Sequence, residues 1–409
     1  MRLPELLAPA GGEKQLKAAV RFGADAVYLG ANRYGMRAHA GNFDEETLAR
    51  ATKWCHARGV KVYLTLNIFA YDEDIAPLVD LAKYAVRICG VDALIMADAG
   101  AIAAVMDEIP EAEIHLSTQM STMNARAVRF WHDAGIKRVV LSREVSLDRI
   151  KALRAAIPQS CELEAFVHGA VCMSYSGRCT LSKYLTGRDA NRGDCAQACR
   201  WTYRLEEQKR LGEYFPVEET AEGVHIFSAG DMNMLPYLDR LCDIPLDSFK
   251  IEGRMKNEYY VATVVGAYRQ ALSAIARGEF DDETRARLSG ELLKISHRPY
   301  DTGFYFGAPE HPGDRDWFMQ SRELAARVLS FSEGRAVIEV KNKILSGDAL
   351  ELMTPNGTFG FTLGGITRAD GTVCSACPQP NSIVTIDLPY PCEEGDLIRG
   401  TCRNHQTGE

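Results

Sequence analysis

Hydrophobic and polar positions follow one repeating pattern through residues 1–255. A short β-branched or aromatic run is followed each time by a longer stretch with apolar residues at helical spacing. Helical stretches such as 13–23 and 45–59 lie between the runs, and Gly23, Gly59 and Gly135 stand where helices should end. The pattern predicts eight strands, at residues 3–10, 25–31, 61–69, 93–98, 113–119, 138–143, 162–169 and 248–254.

Eight strands that alternate with helices predict an α/β fold, a (β/α)8 TIM-like barrel. A doubly wound sheet is the alternative, but no Gly-x-Gly-x-x-Gly follows any predicted strand. The interval between the seventh and eighth strands is too long for one helix. Residues of about 170–247 are therefore predicted to form an insertion after strand seven, at the end of the barrel where active sites are built.

The pattern changes in the last third of the chain. Helices are predicted at 257–278 and 282–296, and a linker at 306–314. From about residue 320, short alternating runs are separated by turn signals such as Asn356-Gly357 and Asp370-Gly371. We therefore expect a catalytic domain over residues 1–310 and a small all-β barrel domain over 320–409.

Composition and charge narrow the function classes. The hydrophobic fraction of 46% and charged fraction of 25% are ordinary for a globular protein, and the apolar stretches are too interrupted for a membrane span. The first residues are too polar for a secretory signal, so we expect a cytoplasmic protein in which cysteines serve as thiols or ligands. A net charge of −8 gives no general attraction to nucleic acid, so any RNA contact needs a local basic patch.

Cysteines are concentrated in the insertion. Cys172, Cys179, Cys195 and Cys199 lie within 28 residues, although 12 cysteines in 409 residues would place about one in such a window. The C-x6-C-x15-C-x3-C spacing is unusual for zinc, and it lacks the third cysteine of a radical-SAM signature. Four thiolates suit a [4Fe–4S] cluster, with zinc less favoured and burial of unrelated cysteines as the remaining alternative.

A second cysteine group stands in the predicted β-domain. Cys374 and Cys377 form a C-x-x-C, and Cys392 and Cys402 follow at looser spacing. This spacing does not decide whether these four cysteines form a second metal site.

Several motifs resemble one known family. The run EAFVHGAVCMSYSGRC (164–179) resembles the signature of the collagenase-like peptidase family, and the segments at 5–30 and 248–262 and the closing β-domain are similar to it too. The resemblance covers essentially the whole chain. Within the family, GRDANRGDCAQACRW (187–201) most resembles the branch that hydroxylates carbon 5 of the tRNA wobble uridine without molecular oxygen.

The resemblance implies cofactors and partners. They are a [4Fe–4S] cluster on the four cysteines, prephenate as oxygen-donating co-substrate, the tRNA anticodon loop, and an electron-donor protein. Cys199 is the least secure ligand, with Cys242 as a remote substitute. The family also includes relatives that hydroxylate ribosomal RNA or ubiquinone. A quinone or another aromatic ring is therefore the alternative substrate.

A peptidase is the other alternative. Cys172 and His168 could form a nucleophile–base pair, but no His-Glu-x-x-His is present. Four cysteines on one metal would also leave no free nucleophile.

Candidate site residues cluster at the predicted carboxyl ends of the strands. His168 could transfer a proton near neutral pH, and Arg143 and Arg254 could bind carboxylates through two hydrogen bonds each. Charges at alternate positions of the last strand would be costly unless they pair or meet a ligand. The predicted catalytic residues are His168, Glu164, Lys250 and Glu252, and the predicted substrate-binding residues are Asn67, Gln119, Arg143, Arg254, Arg178 and Arg200. The last two belong to a basic and aromatic excess around the cysteines.

Overall fold

A closed parallel barrel forms the larger part of the protein. The computed structural model describes residues 2–37, 40–172, 174–201, 218–220, 223–225, 230–307 and 319–402. The strands before residue 310 are β1 Glu5–Ala10, β2 Ala26–Gly30, β3 Lys61–Leu66, β4 Ala93–Met96, β5 Ile114–Leu116, β6 Arg138–Val140, β7 Glu162–Ala170, β8 Glu218–Thr220, β9 Gly223–His225, β10 Asp231–Asn233, β11 Ser248–Ile251 and β12 Tyr300–Asp301. Strands β1 to β7 pair in order, and β11 pairs in parallel with both β7 and β1. The predicted eight-stranded barrel is confirmed.

Helices follow the barrel strands on the outside. They are α1 Glu13–Arg21, α2 Glu45–His56, α3 Asp72–Tyr84, α4 Ala99–Glu108, α5 Ala125–Asp133, α6 Leu147–Ala155, α7 Leu181–Thr186, α8 Leu238–Cys242, α9 Glu258–Arg277 and α10 Asp282–Leu292, with a π-helical turn at Ala85–Cys89. Gly23, Gly59 and Gly135 have φ angles of 99°, 73° and 100°, the left-handed conformation that ends a helix. None of the helices in the described ranges is long and apolar enough to span a membrane.

The segment after β7 returns to the barrel. Strand β10 pairs antiparallel with the end of β7, so that Asn233 lies opposite His168, and β12 continues the sheet beside β10. The chain thus leaves the barrel at one strand, forms the cysteine segment (residues 171–201), and comes back alongside the same strand.

The C-terminal part is all-β, as predicted. Its strands are β13 Arg322–Ser332, β14 Arg335–Val340, β15 Ile344–Leu345, β16 Ala349–Thr354, β17 Gly357–Thr362, β18 Ile366–Arg368, β19 Val373–Cys374, β20 Ala376–Cys377, β21 Ile383–Asp387 and β22 Leu397–Thr401. Eight of them form one antiparallel sheet in the order β17-β16-β22-β13-β14-β21-β18-β19, and β15 pairs with β20. The turns at Asn356-Gly357 and Asp370-Gly371 each join a hairpin. No pairing in the described strands joins the edges β17 and β19, and the domain boundaries stay predictions.

Arg399 anchors this sheet to the barrel domain. Its side chain is fully buried and pairs with Glu351 of its own sheet at 2.6 Å and with Glu291 of α10 at 2.5 Å. Glu351 belongs to the C-terminal sheet and Glu291 to a helix of the barrel domain. The buried guanidinium therefore links the sheet to the barrel domain through ion pairs.

An ionic network fills the amino-terminal end of the barrel interior. Arg138 is 4% exposed and pairs with Glu5 at 2.6 Å, Glu162 at 2.8 Å and Glu164 at 3.3 Å. Glu164 also accepts a hydrogen bond from Lys250 at 2.8 Å. Burial opposes ionisation of Glu164, but Lys250 and Arg138 outweigh it and lower its pKa.

We expect Arg138→Met to destabilise the protein by about 3–5 kcal/mol, because buried carboxylates lose their main partner. Thermal unfolding followed by circular dichroism measures the effect. Arg335→Met is the matched control, since Arg335 pairs with Asp387 at 3.6 Å on the surface and such pairs contribute about 0–1 kcal/mol.

The difference in stability between wild type and Arg138→Met should decrease as the pH falls. A carboxylate with a lowered folded pKa stabilises above its ordinary value of 4.5, and this stability is lost as pH falls through the folded pKa. The gap between wild type and Arg138→Met should therefore shrink in acid. Equal unfolding midpoints for wild type and Arg138→Met at neutral pH would show that the network adds no stability.

Candidate active site at the carboxyl end of the barrel

A cavity of about 220 Å³ lies at the carboxyl ends of the barrel strands and is called the barrel cavity below. Its wall includes Tyr28 of β2, Ile95 of β4 and Phe166 of β7. It is large enough for a small ligand, and it lies at the end of a TIM barrel where active sites form. The predicted site residues on its wall are Asn67, Gln119, Arg143, Lys250, Glu252, Arg254, Cys172, Cys179, Cys195 and Cys199.

Glu252 is the carboxylate at the centre of one wall. Its oxygens lie 3.4 Å from the Arg37 guanidinium and 3.6 Å from that of Arg143. The Tyr28 hydroxyl lies 3.5 Å away and donates its shorter hydrogen bond, 2.9 Å, to the Ile251 carbonyl. Burial opposes ionisation of Glu252, yet the surrounding cations, Arg37 first, lower its pKa. Glu252 is therefore an ionised, paired group at neutral pH.

Arg254 reaches across the top of the barrel. Its guanidinium donates to the Thr65 hydroxyl and, at 3.3 Å, to the Arg37 carbonyl, while its Nε has no partner in the described residues. Burial, reinforced by the charge of Arg37, lowers its pKa to about 10. A Cβ at Gly30 would lie 2.6 Å from Nη1, so a glycine at the end of β2 makes room for this side chain.

The wall carries a surplus of positive charge. Three guanidinium groups, those of Arg37, Arg143 and Arg254, face one carboxylate, Glu252, whereas Lys250 is paired below with Glu164. Arg143 also stacks on Phe166, with its guanidinium carbon 3.9 Å from the ring centroid. Buried guanidinium groups with spare donors are suited to binding a ligand with two carboxylates.

A neutral hydrogen-bonding group lies on another part of the wall. Asn67 accepts from the Met36 backbone N–H at 3.3 Å and donates to Gln119 Oε1 at 3.0 Å. Gln119 follows β5 and is 3% exposed. Its Nε2 has no hydrogen-bond partner in the described residues. This wall therefore presents a donor without adding charge.

The four clustered cysteines line the same cavity. Cys172 is exposed and the other three are half-buried. The Gln197 backbone N–H donates to Cys195 Sγ at 3.3 Å. Their number and softness match what a [4Fe–4S] cluster needs. Within the described ranges, however, no group of three or more His, Cys, Asp or Glu side chains converges closely enough to hold a metal ion.

Polar clamps hold the cysteine segment against the barrel. Glu144 accepts hydrogen bonds from Ser176, 2.7 Å from its backbone N–H and 3.1 Å from its hydroxyl. Within the segment, Asn191 accepts from the Cys179 N–H at 3.2 Å and donates to the Cys179 carbonyl at 3.0 Å, and its own carbonyl accepts from the Phe69 N–H at 3.0 Å. Arg192 pairs with Asp74 at 2.7 Å. These contacts fix the backbone on both sides of the thiols.

The basic excess around the cysteines is mostly neutralised. Besides Arg192, Lys183 pairs with Asp189 at 2.9 Å and Arg188 with Asp194 at 2.7 Å. Arg178 is exposed at the mouth, outside the cavity lining, with its guanidinium carbon 5.3 Å from the Phe69 ring centroid. The side chain of Arg200 lies outside the described residues, as does Arg204.

His168 and Glu164 do not line the barrel cavity. Strict alternation along β7 would aim His168 inward, but the register shifts between β7 and β11, so that Lys250 lies opposite Phe166 and Ile251 opposite His168. His168 instead packs against Tyr268 of α9, with its Nδ1 3.4 Å from the hydroxyl. Burial lowers its pKa to about 3. This placement disagrees with proton transfer by His168 at the cavity, and Glu164 belongs to the ionic network below.

Arg37 is the main cavity residue that the sequence pattern missed. It lies in the loop after β2, outside every predicted strand, and its side chain is 31% exposed. The signal that could have indicated it is indirect: a buried Glu252 needs more positive charge than its own strand supplies.

Comparisons with known proteins place the chain among described relatives. A family model described as Peptidase family U32 matches residues 11–315, and one described as Peptidase family U32 C-terminal domain matches residues 320–399. The chain is 35% identical to tRNA hydroxylation protein P of Escherichia coli strain K12, over 95% of each chain. It is 32% identical to the 23S rRNA 5-hydroxycytidine C2501 synthase of the same strain, over 87% of this chain and 53% of that one. It is 36% identical to a Collagenase of Porphyromonas gingivalis strain ATCC BAA-308 / W83, over 74% and 73%.

The thiols should separate by reactivity in metal-free protein. Burial raises the pKa of Cys55 and Cys242 to about 12 and that of Cys89 to about 11. Iodoacetamide at pH 8 should therefore alkylate Cys172 much faster than these three, because the thiolate is the nucleophile. Peptide mapping by mass spectrometry measures each rate. Comparable rates for Cys172 and Cys55 would show that the cysteine segment is less accessible than described.

Proposed function

This chain belongs to peptidase family U32, and we propose that it hydroxylates carbon 5 of the wobble uridine in tRNA, with prephenate as the oxygen donor and a [4Fe–4S] cluster held by Cys172, Cys179, Cys195 and Cys199. Two relatives support the reaction class. One is named a tRNA hydroxylation protein and the other a synthase of 5-hydroxycytidine in 23S rRNA. Both names describe hydroxylation of RNA, and the second places it at carbon 5 of a pyrimidine.

One observation carries the proposal: the four clustered cysteines and the cationic wall share a single cavity. Soft thiolate ligands suit an electron-transferring cluster, and spare guanidinium donors suit an anionic metabolite. The proposed reaction uses both, because its oxygen comes from an anionic metabolite and its electrons move between that metabolite and the base.

The cationic wall would bind prephenate, which carries two carboxylates. Arg143 and Arg254 are buried and oriented by Phe166 and Thr65, so they lose little freedom when a carboxylate binds. Glu252 bridges Arg37 and Arg143 by pairing with both, which offsets the repulsion between them. The resulting net positive charge, to which Lys256 on the lining also contributes, favours a donor with two negative charges.

The reaction balances as an exchange of hydroxyl and hydrogen. The uracil C5–H bond breaks and a C5–O bond forms with the hydroxyl oxygen of the donor. The hydrogen and the two electrons removed from the pyrimidine end on the donor, which is reduced by two electrons. A bound [4Fe–4S] cluster supplies one-electron transfer, and an electron-donor protein is needed only to set its starting oxidation state. The residues of the wall hold the donor and exclude water.

The base must leave the stacked anticodon loop to reach the cavity. Flipped and single-stranded bases are stabilised by stacking on aromatic side chains. The cysteine segment exposes three such side chains, Tyr175 at 55%, Tyr184 at 86% and Trp201 at 45%. With Arg178 at the mouth, they provide stacking surfaces and one exposed cation.

A peptidase reaction has less support, although one relative is named Collagenase. No hydrogen bond in the described residues joins a cysteine to a histidine. His168, the one histidine near Cys172 in sequence, contacts Tyr268 instead. The nucleophile–base pair that peptide hydrolysis needs is thus not formed there.

Loss of any one ligand cysteine should abolish the modification. In a deletion strain, mass spectrometry of tRNA nucleosides should find no 5-hydroxyuridine or its derivatives, and wild type should restore them. Cys172→Ala and Cys195→Ala should restore less than about 1%, since removing a ligand loses the cluster. Cys402→Ala, which changes a half-buried cysteine of the β-domain, is the control and should restore them fully. Unchanged nucleosides in the deletion strain would refute the proposed reaction.

Arg254→Lys should weaken prephenate binding, because an ammonium cannot reproduce the planar pair of donors. We expect the Kd from isothermal titration calorimetry to rise roughly ten- to hundredfold, the usual effect of losing a charged hydrogen bond. Arg335→Lys, on the surface of the β-domain, should leave it unchanged. An unchanged Kd for Arg254→Lys would exclude this side chain from the donor site.

A further inference from the structure

Three groups in a row fix the direction of the hydrogen bonds on the neutral wall. The Met36 backbone N–H can only donate, so it requires the Asn67 Oδ1 acceptor, at 3.3 Å. The Asn67 Nδ2 must then point the other way and donates to Gln119 Oε1 at 3.0 Å. Gln119 therefore has no choice of amide orientation: its Oε1 is occupied, and its Nε2 is turned away from Asn67.

The Nε2 of Gln119 is a buried donor without a partner. Gln119 is 3% exposed, it lines the barrel cavity, and its Nε2 makes no hydrogen bond to any described residue. A buried polar group left unpaired costs about 1–3 kcal/mol. Such a group is retained where a ligand supplies the missing acceptor.

We propose that Gln119 reads the identity of the pyrimidine by donating to the carbonyl oxygen on carbon 4 of uracil, and so selects uracil over cytosine. The inference rests on the proposed function and adds its specificity determinant. Uracil carries an acceptor at this position, whereas cytosine carries an amino group, a donor. Cytosine in the same pose would face Nε2 with a second donor and leave both unpaired.

The geometry favours the carbon-4 oxygen over the co-substrate as partner. Carbon 4 is bonded to carbon 5, so a base that presents carbon 5 for reaction presents this oxygen beside it. Of the two carboxylate-binding arginines, Arg254 follows β11, three strands around the barrel from β5, and Arg143 follows the adjacent β6 but stacks on Phe166 of β7. Ile95 and Val140 supply apolar lining suited to the faces of a base.

The preference for uracil over cytosine can be measured as the ratio of the affinities for the two bases. Leaving a buried donor unpaired predicts that wild type favours uracil roughly ten- to hundredfold over cytosine. In Gln119→Glu, one carboxylate oxygen still accepts from Asn67 and the other presents an acceptor to the cavity. This isosteric change reverses the polarity of the reading group, so the preference should fall below one. Gln119→Met presents neither donor nor acceptor and should bring the ratio near one.

The experiment uses the full-length, cluster-loaded protein and two anticodon stem–loop RNAs that differ only by U or C at the wobble position. Fluorescence anisotropy gives the Kd ratio, and nucleoside mass spectrometry gives the ratio of 5-hydroxyuridine to 5-hydroxycytidine. The added charge of Gln119→Glu acts on both RNAs equally and cancels in each ratio. Gln270→Glu, on α9 outside the barrel cavity, is the matched control and should keep the wild-type ratio.

The outcomes separate the inference from the reaction. An unchanged U/C ratio in both Gln119 variants would overturn the inference, whether or not 5-hydroxyuridine forms. A raised Kd for prephenate with an unchanged base ratio would assign Gln119 to the co-substrate and also overturn it. Preferential binding of the U loop that falls in Gln119→Glu, without product from wild type, would uphold the reading by Gln119 and refute the proposed reaction.

Discussion

The constraint on which the rest of the site depends is a carboxylate kept ionised inside the barrel. Glu252 is largely removed from water, a state that costs several kcal/mol unless cations compensate it. The compensation comes chiefly from three different parts of the chain: Arg37 in the loop after β2, Arg143 after β6, and Arg254 after β11. The need to neutralise Glu252 therefore brings together the guanidinium groups that make the wall of the barrel cavity positively charged.

Two layers of charge are stacked along the barrel axis. Lys250 and Arg138 neutralise Glu164 in the lower layer, and Glu252 with its cations forms the upper one. Lys250 pairs directly with Glu164 at 2.8 Å, and the upper layer keeps a guanidinium donor, Arg254 Nε, without a partner in the described residues. The lower layer is formed by residues within the strands, whereas the upper layer is formed by residues that follow the strand ends and line the barrel cavity.

The sequence predicted the elements well because the barrel rests on local rules. Alternation and helical periodicity depend on near neighbours, and Gly23, Gly59 and Gly135 mark helix ends through their own backbone angles. His168 was misplaced because a register shift between β7 and β11 turned it outward, and a bulge leaves no signature in a pattern of period two. Arg37 was missed because loops carry no periodicity. The basic patch was overestimated because Asp189 and Asp194, its neutralising partners, were not counted against Lys183 and Arg188.

The clamps of the cysteine segment have a consequence for how the protein is assembled. Glu144 holds Ser176, and Asn191 holds Cys179, through oxygen and nitrogen atoms alone, and Arg192 ties the segment to Asp74 in the same way. None of these contacts uses a sulfur atom. The segment can therefore take up its position as the chain folds, without a metal. The [4Fe–4S] cluster of the proposed function would then enter a segment that is already in place.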